Sequence, residues 1–142
     1  MFGGYEKDKN FIGKFSRHIS ELIKKNIKSQ NVGDRIWQPT YTKDLAYNSL
    51  VLLSEGKRGV YNMASHGEAS FFDVAEEIVK HFELEIIINK ISSKDFVEKA
   101  KRPEKAVLSN SKLESEGLDL QRDWKTGLHD YLDNDYFRRL FL

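Results

Sequence analysis

Asp34-Arg35-Ile36-Trp37-Gln38-Pro39-Thr40-Tyr41-Thr42-Lys43-Asp44-Leu45-Ala46 is the stretch on which the fold turns. Its second half reads as a loop that feeds straight into a helix. Pro39 fixes its own φ and has no N–H to give to a ladder, and Thr40 sets a hydroxyl beside it. Thr42 is then expected to cap a helix whose apolar residues are Leu45, Ala46, Leu50 and Leu53, ending near Glu55-Gly56. Upstream, Asn26 to Gln30 and Arg35 to Trp37 are expected as two small strands joined by the Val32-Gly33-Asp34 turn.

Working outward, Phe11, Ile12, Phe15, Ile19, Leu22 and Ile23 recur at three- and four-residue spacing and predict an amphipathic helix over Asn10 to Lys24. Gly59 to Ala64 is expected as a strand with buried neighbours, followed by the turn-rich Ser65-His66-Gly67. Ser70 with Asp73 forms a variant capping box for a helix whose inner face is Phe71, Val74, Ala75, Ile78, Val79 and Phe82. The β-branched run Ile86 to Ile88 favours a strand buried on both sides. Ser93 to Ala100 predicts a short helix that stops before Arg102-Pro103, because the residue before proline is driven from the α region. Ala106 to Ser109 suits an extended stretch, Ser111 to Ser115 a helical turn before Gly117, and Asp123 the cap of a last helix with Trp124, Leu128, Tyr131 and Leu132. The ending, Tyr136 to Leu142, is apolar and awkward in solvent. Alternating helices and short strands, without repeats, make an α/β chain.

The 142 residues suffice for one domain, 1–142, with its own core. Charged residues are 32% but cancel to a formal +1, so there is no bulk-charge signal for nucleic acid or an anionic membrane. Cysteine is absent, which excludes disulfides, zinc-thiolate sites and thiol nucleophiles. No run approaches the roughly 20 apolar residues of a membrane span, and the start has no secretory h-region. These features point to a soluble, cytoplasmic protein.

Several chemistries lack their motifs. The glycines make no Gly-x-Gly-x-x-Gly turn for a dinucleotide, so no cofactor-binding residue is expected in this chain. No Gly-x-Ser-x-Gly elbow occurs. Tyr5 and Lys9 have the Tyr-x-x-x-Lys spacing of a proton-transferring pair but lie in a charged loop, and they are read as a decoy. His18, His66, His81 and His129 are dispersed, none at an i, i+3 or i+4 spacing from another, so no metal site is expected. His66, in a loop after the expected strand, is the one to inspect.

Four segments resemble, in order, the dTDP-4-dehydrorhamnose reductases, which are extended short-chain dehydrogenases. Phe2-Gly3-Gly4 through Asn10-Phe11 is similar to that family's Trp-x-Phe/Tyr-Gly…Asn-Phe element. Gln38-Pro39-Thr40 with Asp44-Leu45-Ala46 resembles its Asp-Gln-x-Gly-x-Pro-Thr…Asp-Leu-Ala loop and helix. Gly59 to Ala64 followed by Ser70 to Ala75 resembles its Gly-x-Tyr/Phe-His/Asn-x-Ala…Ser-Trp/Phe pattern, and Lys101-Arg102-Pro103…Ser109…Lys112-Leu113 its Arg-Pro…Ser…Lys-Leu run. The likeness covers residues 1 to about 132.

That resemblance implies the C-terminal, substrate-binding part of such a reductase, without the N-terminal Rossmann half. NADPH or NADH, the catalytic tyrosine and lysine and their Ser/Thr partner would belong to the missing half, so no catalytic residue is assigned here and the chain alone is not expected to catalyse. The expected ligand is a dTDP-sugar. Arg102 is the candidate for its diphosphate, since a planar guanidinium suits phosphate. Asn10 is a candidate both to cap its helix and to offer an amide, and Trp37, Gln38 and Thr40 are placed at the pocket rim. Core packing is the competing role for Trp37, and Asp44 suits helix-start electrostatics better than phosphate contact. Arg35 and Trp37 depart from the family's usual glutamine and small residue. Alternatives from other classes are a regulatory or interaction module derived from this fold and the substrate domain of another nucleotide-sugar epimerase or dehydratase. An apolar face left uncovered by the missing half is expected to promote homo-oligomers.

Overall fold

The apolar stripe that opens the chain folds into helix α1 (Phe11–Lys24), in a computed structural model that describes residues 1–92, 94 and 103–141. Ile12, Phe15, Ser16, Ile19 and Ser20 face inward, while Ile23 at the helix end is exposed. Gly13 is needed because a Cβ there would fall 2.6 Å from the Asp8 carbonyl oxygen. Asp8 is buried and fully used: it accepts from the Asn10 N–H at 2.8 Å, from the Tyr131 hydroxyl at 3.1 Å and, through its carbonyl, from Arg17 at 2.6 Å.

Strand β1 (Ser29–Gly33) and strand β2 (Ile36–Trp37) follow, but they do not pair with one another as a turn between them would require. The chain instead runs from one sheet to another: Val32 and Gly33 stay inside β1. Helix α2 (Thr42–Ser54) comes next, then β3 (Ala69–Ser70), α3 (Phe71–His81), β4 (Ile87–Ile91), β5 (Lys105–Ala106), α4 (Ser111–Ser115), α5 (Trp124–Leu132) and α6 (Asp135–Phe141). β1 and β4 form a parallel pair with Ser29 opposite Ile87. β2 lies between β3, antiparallel to it, and β5, parallel to it. The helix expected over 93–100 lies outside the described residues.

α1, α3, α5 and α6 enclose the core, in which Ile12, Ile19, Val74, Ile78, Leu128, Leu132 and Phe137 have no exposed surface. An aromatic group joins the two ends of the chain: Tyr131 lies 5.3 Å from Phe2, 5.1 Å from Tyr5, 5.4 Å from Tyr41 and 4.9 Å from Phe137 between ring centres. The apolar C-terminal segment is therefore docked, with the Leu140 carbonyl accepting from the Ser20 hydroxyl and Phe141 against Phe82.

Other expectations need correction. Gly59 to Ala64 is irregular, because no strand among the described residues lies alongside to share its hydrogen bonds. Only one face of β4 is covered, leaving Ile87 67% exposed beside a buried Ile86. Thr42 does not cap α2; it is the first helical residue, and its N–H donates to the Phe2 carbonyl. The largest change concerns α2 as a whole, whose buried stripe is Asp44, Asn48 and Leu52 while Leu50 and Leu53 face outward.

Ser70, in contrast, caps α3 as the capping-box spacing requires, accepting from the Asp73 N–H at 3.0 Å while Asp73 accepts from the Ser70 N–H at 2.8 Å. Replacing Ser70 by Ala is expected to cost about 1 kcal/mol in urea unfolding. Thr42→Ala, which removes no capping bond, should change stability by less than about 0.5 kcal/mol.

Candidate functional site

Three segments far apart in sequence meet around the loop between β2 and α2. Gln38 reaches Leu108 with both ends of its amide, accepting from the Leu108 N–H at 2.5 Å and donating to the Leu108 carbonyl at 3.2 Å, with a longer bond to the Ser65 carbonyl. Thr40 is buried; its hydroxyl donates to the Gln38 carbonyl at 3.2 Å and accepts from the Ser65 N–H at 3.1 Å. Asn110 completes the lacing, accepting from the Ala64 N–H and donating to the Ala64 carbonyl at 2.7 Å. Buried amides that use donor and acceptor in this way hold irregular backbone where no ladder is available.

Of the residues singled out by sequence, Gln38 and Thr40 are thus brought into one hydrogen-bonded unit. Trp37 adjoins it, stacked on Phe71 at 5.2 Å with Phe11 edge-on at 6.5 Å, so its ring is part of the aromatic packing. Its Nε1 is buried and has no hydrogen-bond partner among the described residues. Asn10 lies one residue before Phe11, exposed, and the capping bond expected of its side chain is not formed. Its backbone serves instead, the N–H donating to Asp8 and the carbonyl accepting from Lys14. Arg102 lies outside the described residues. Arg35 lines a cavity of about 270 Å³ with Asp34, Ile36, Ser92, Lys94 and Glu104.

Tyr5 and Lys9 do not share a helical turn. Tyr5 has φ +47° at the start of a 3₁₀ turn (Tyr5–Lys7) that ends in extended backbone at Asp8. The ionisation of Tyr41 is pushed up by burial first and by the neighbouring Tyr5 hydroxyl second. Tyr131 is likewise pushed up by burial and then by the nearby Asp8 carboxylate. Tyr41 and Tyr131 are held neutral and serve packing.

A polar network beneath the loop was not anticipated. Arg122 binds Asp44 through Nη2 at 2.7 Å and Nε at 3.0 Å, and Asp130 through Nη2 at 2.9 Å. Asn48 donates to the Leu118 carbonyl and accepts from the Leu120 N–H and from Gln121. Gly127 lets α5 approach this corner, since a Cβ there would sit 3.3 Å from the Tyr41 Cβ and 3.4 Å from Asp44 Oδ2. The i, i+4 spacing of Asp44 and Asn48 was the signal available in sequence; it identifies one helix face and not which face is buried.

The wider groove along α3 has a volume of about 730 Å³ and is lined by charged residues such as Glu76, Glu77, Lys80 and Lys125, with Ile87 and Trp124. Its described lining contains none of Asn10, Trp37, Gln38 and Thr40. Glu77 there is raised by burial, but hydrogen bonds from His129 and Lys125 outweigh this and lower it below the usual range.

Residues 2–137 match the family described as RmlD substrate binding domain, and the chain belongs to that family. It is 34% identical over 101 residues to the spore coat polysaccharide biosynthesis protein SpsK of Bacillus subtilis, covering 71% of this chain and 35% of that one. It is 28% identical to a dTDP-4-keto-6-deoxy-D-glucose reductase of Streptomyces niveus, covering 80% of this chain and 42% of the relative. A crystal structure of a dTDP-4-dehydrorhamnose reductase from Clostridium acetobutylicum superposes with a TM-score of 0.74 at 30% identity, over 82% of this chain and 42% of that one. The chain therefore spans less than half the length of each of these relatives. No helix among the described residues is long and apolar enough to cross a membrane.

Arg122→Gln is expected to cost about 1–3 kcal/mol at neutral pH, because it leaves the buried Asp44 carboxylate without its cation. Arg122 is partly exposed, which keeps the loss below that of a fully buried pair. The hydrogen bond from Arg122 comes first in holding Asp130 below its ordinary 3.8, burial opposing it and Lys43 helping. A depressed carboxyl stabilises above its unfolded pKa and loses that contribution as pH falls through the folded one. Thermal unfolding against pH should then show the gap between parent and variant constant above about pH 5 and narrowing only below about pH 4.

Proposed function

We propose that this chain supplies the nucleotide-sugar side of an NAD(P)H-dependent reductase acting on dTDP-4-dehydro-L-rhamnose. On this reading the hydride donor, the proton-transferring tyrosine and lysine and the glycine-rich turn come from a Rossmann half, and the chain by itself does not catalyse. The observation that carries the proposal is the Gln38–Thr40 loop, tied to Ser65 and Leu108 by side-chain hydrogen bonds in a chain of the RmlD substrate-binding family. Such tying holds a wall in one shape before ligand arrives, which lowers the ordering cost of binding.

Within that wall the residues divide their work. Gln38 and Thr40 have committed their polar atoms to Leu108 and Ser65, so they set the shape of the rim. Trp37 offers a buried indole N–H with no partner among the described residues, a donor suited to a carbonyl or hydroxyl oxygen of the ligand. Asn10 presents an exposed amide at the start of α1. Arg102 is the cation for the diphosphate, where two parallel N–H donors match phosphate geometry.

The outward face of α2 supports a place for the Rossmann half or a second copy. Tyr47, Leu50 and Leu53 lie on it and are 61%, 65% and 72% exposed. Apolar residues clustered on one exposed helix face mark a surface that is covered in the working assembly.

Titration with dTDP and dTDP-rhamnose, followed by calorimetry and by amide chemical shifts, is expected to saturate and to move the Trp37 indole resonance. Arg102→Ala should weaken binding by about tenfold or more, the value of a charge-assisted hydrogen bond. No shift at millimolar ligand would refute a preformed nucleotide-sugar wall. Sedimentation of the chain should show concentration-dependent association that the pair Leu50→Glu and Leu53→Glu removes, and a monodisperse monomer at high concentration would refute the covered face.

A further inference from the structure

His66, Glu114 and Asp119 come from three separate parts of the chain: the loop before β3, the helix α4 and the stretch leading to α5. An imidazole nitrogen and one oxygen of each carboxylate all lie within 4.8 Å of one another. We propose that these three side chains form a binding site for a divalent transition-metal ion of the zinc class, with water in the remaining positions. This inference does not depend on the nucleotide-sugar reading.

The separation of His66 Nε2 from Asp119 Oδ2 is 3.2 Å. That is the edge expected between two ligands that each bind an ion at about 2.0–2.2 Å. It also suits a direct His–Asp pair, so the third group decides the matter. Glu114 brings a second carboxylate oxygen within 4.8 Å of both, and its side chain has no ion pair or hydrogen bond among the described residues. The nearby lysines are engaged elsewhere: Lys112 with the Val60 carbonyl and the Tyr61 ring, and Lys57 with Glu116. Two carboxylates and an imidazole, none paired with a lysine or arginine among the described residues, are a donor set for a cation.

The outer partners are those a metal site needs. Asp119 has a side chain only 7% exposed; its Oδ1 accepts from the Gln121 N–H at 3.0 Å and its Oδ2 from Asn110 at 3.1 Å. His66 is fixed through its backbone, donating to the Arg122 carbonyl at 2.9 Å and accepting from the Trp124 N–H at 3.1 Å. Its ring is 47% exposed, which leaves a path for the ion and for water. Nitrogen with carboxylate oxygen and no thiolate favours zinc, cobalt, nickel or manganese over copper(I). A bound ion would join the 64–67 loop to α4 and to the 118–120 stretch, and so brace the segment that Thr40 and Gln38 contact through Ser65.

The test uses the whole chain, stripped with a chelator and titrated with zinc chloride by calorimetry, and with cobalt chloride by visible absorption. Because the chain has no cysteine, no thiolate can contribute to either signal. The expected result is one ion per chain, a melting temperature that rises with zinc, and a cobalt spectrum of mixed nitrogen and oxygen ligands. Glu114→Gln should weaken zinc at least tenfold while the melting temperature without metal stays unchanged, since the Glu114 side chain is exposed and has no other partner among the described residues. His66→Asn should abolish the cobalt spectrum. Absence of zinc binding by the parent chain, or zinc affinity equal to the parent's in both variants, would overturn the proposal.

Discussion

The pairing of Asp44 and Asn48 with the 118–122 stretch governs how the rest of the chain is arranged. α2 presents a polar stripe inward, and that is tolerable only because each polar atom meets a partner: Arg122 on Asp44, the Leu118 carbonyl, the Leu120 N–H and Gln121 on Asn48. Burial of an unmatched amide or carboxylate would cost several kcal/mol, roughly the margin by which a small domain is folded. The match therefore fixes the rotation of α2 about its own axis. Once that rotation is set, the loop leading into it can take only one path, with Thr40 buried against Ser65 and Phe2 bridged to Tyr41.

From that path follows the character of the candidate site. Its wall is built from irregular backbone joined by amides and a hydroxyl, and an aromatic group made by Phe11, Trp37 and Phe71 supports it from behind. Loop residues that hold a rigid shape through side-chain bonds can face a ligand without being ordered by it. The chain belongs to the RmlD substrate-binding family, and the proposed function rests on a prepared wall of this kind. The outward apolar residues of α2 belong to the same logic, since a helix that turns Asp44 and Asn48 inward leaves Leu50 and Leu53 to another surface.

Helices with a clear amphipathic period were legible in the sequence. α1, α3 and α5 start and stop close to where spacing and caps put them, and the Ser70–Asp73 box closed as its spacing required. α2 was legible as a helix but not in orientation, because hydrophobicity is a sound guide to the buried face only when the polar residues lack buried partners. Those partners, Gln121 and Arg122, lie too far along the chain to be weighed locally. Strands suffered more. Gly59 to Ala64 has the composition of a strand, yet a strand exists only beside another, and the lack of one cannot be read from the segment itself. Trp37, Gln38 and Thr40 were singled out through the motif they sit in, whereas Asn110 and Asp119 belong to no motif; what brings these two forward is where they converge.

The pairing of β1 with β4 and of β2 with β5 bears on how the chain reaches this state. Ser29 meets Ile87 and Ile36 meets Lys105, so neither parallel ladder can begin until a long loop containing α2 and α3 has closed. Contacts within α1 and α3 need no such closure and can form in microseconds. Helices should therefore precede sheets in time, with the Gln38–Leu108 and Thr40–Ser65 bonds among the last to form. The Gln38–Thr40 loop and its partners are in this sense a late product of folding, and the segments that make them would be the first to loosen when the chain opens.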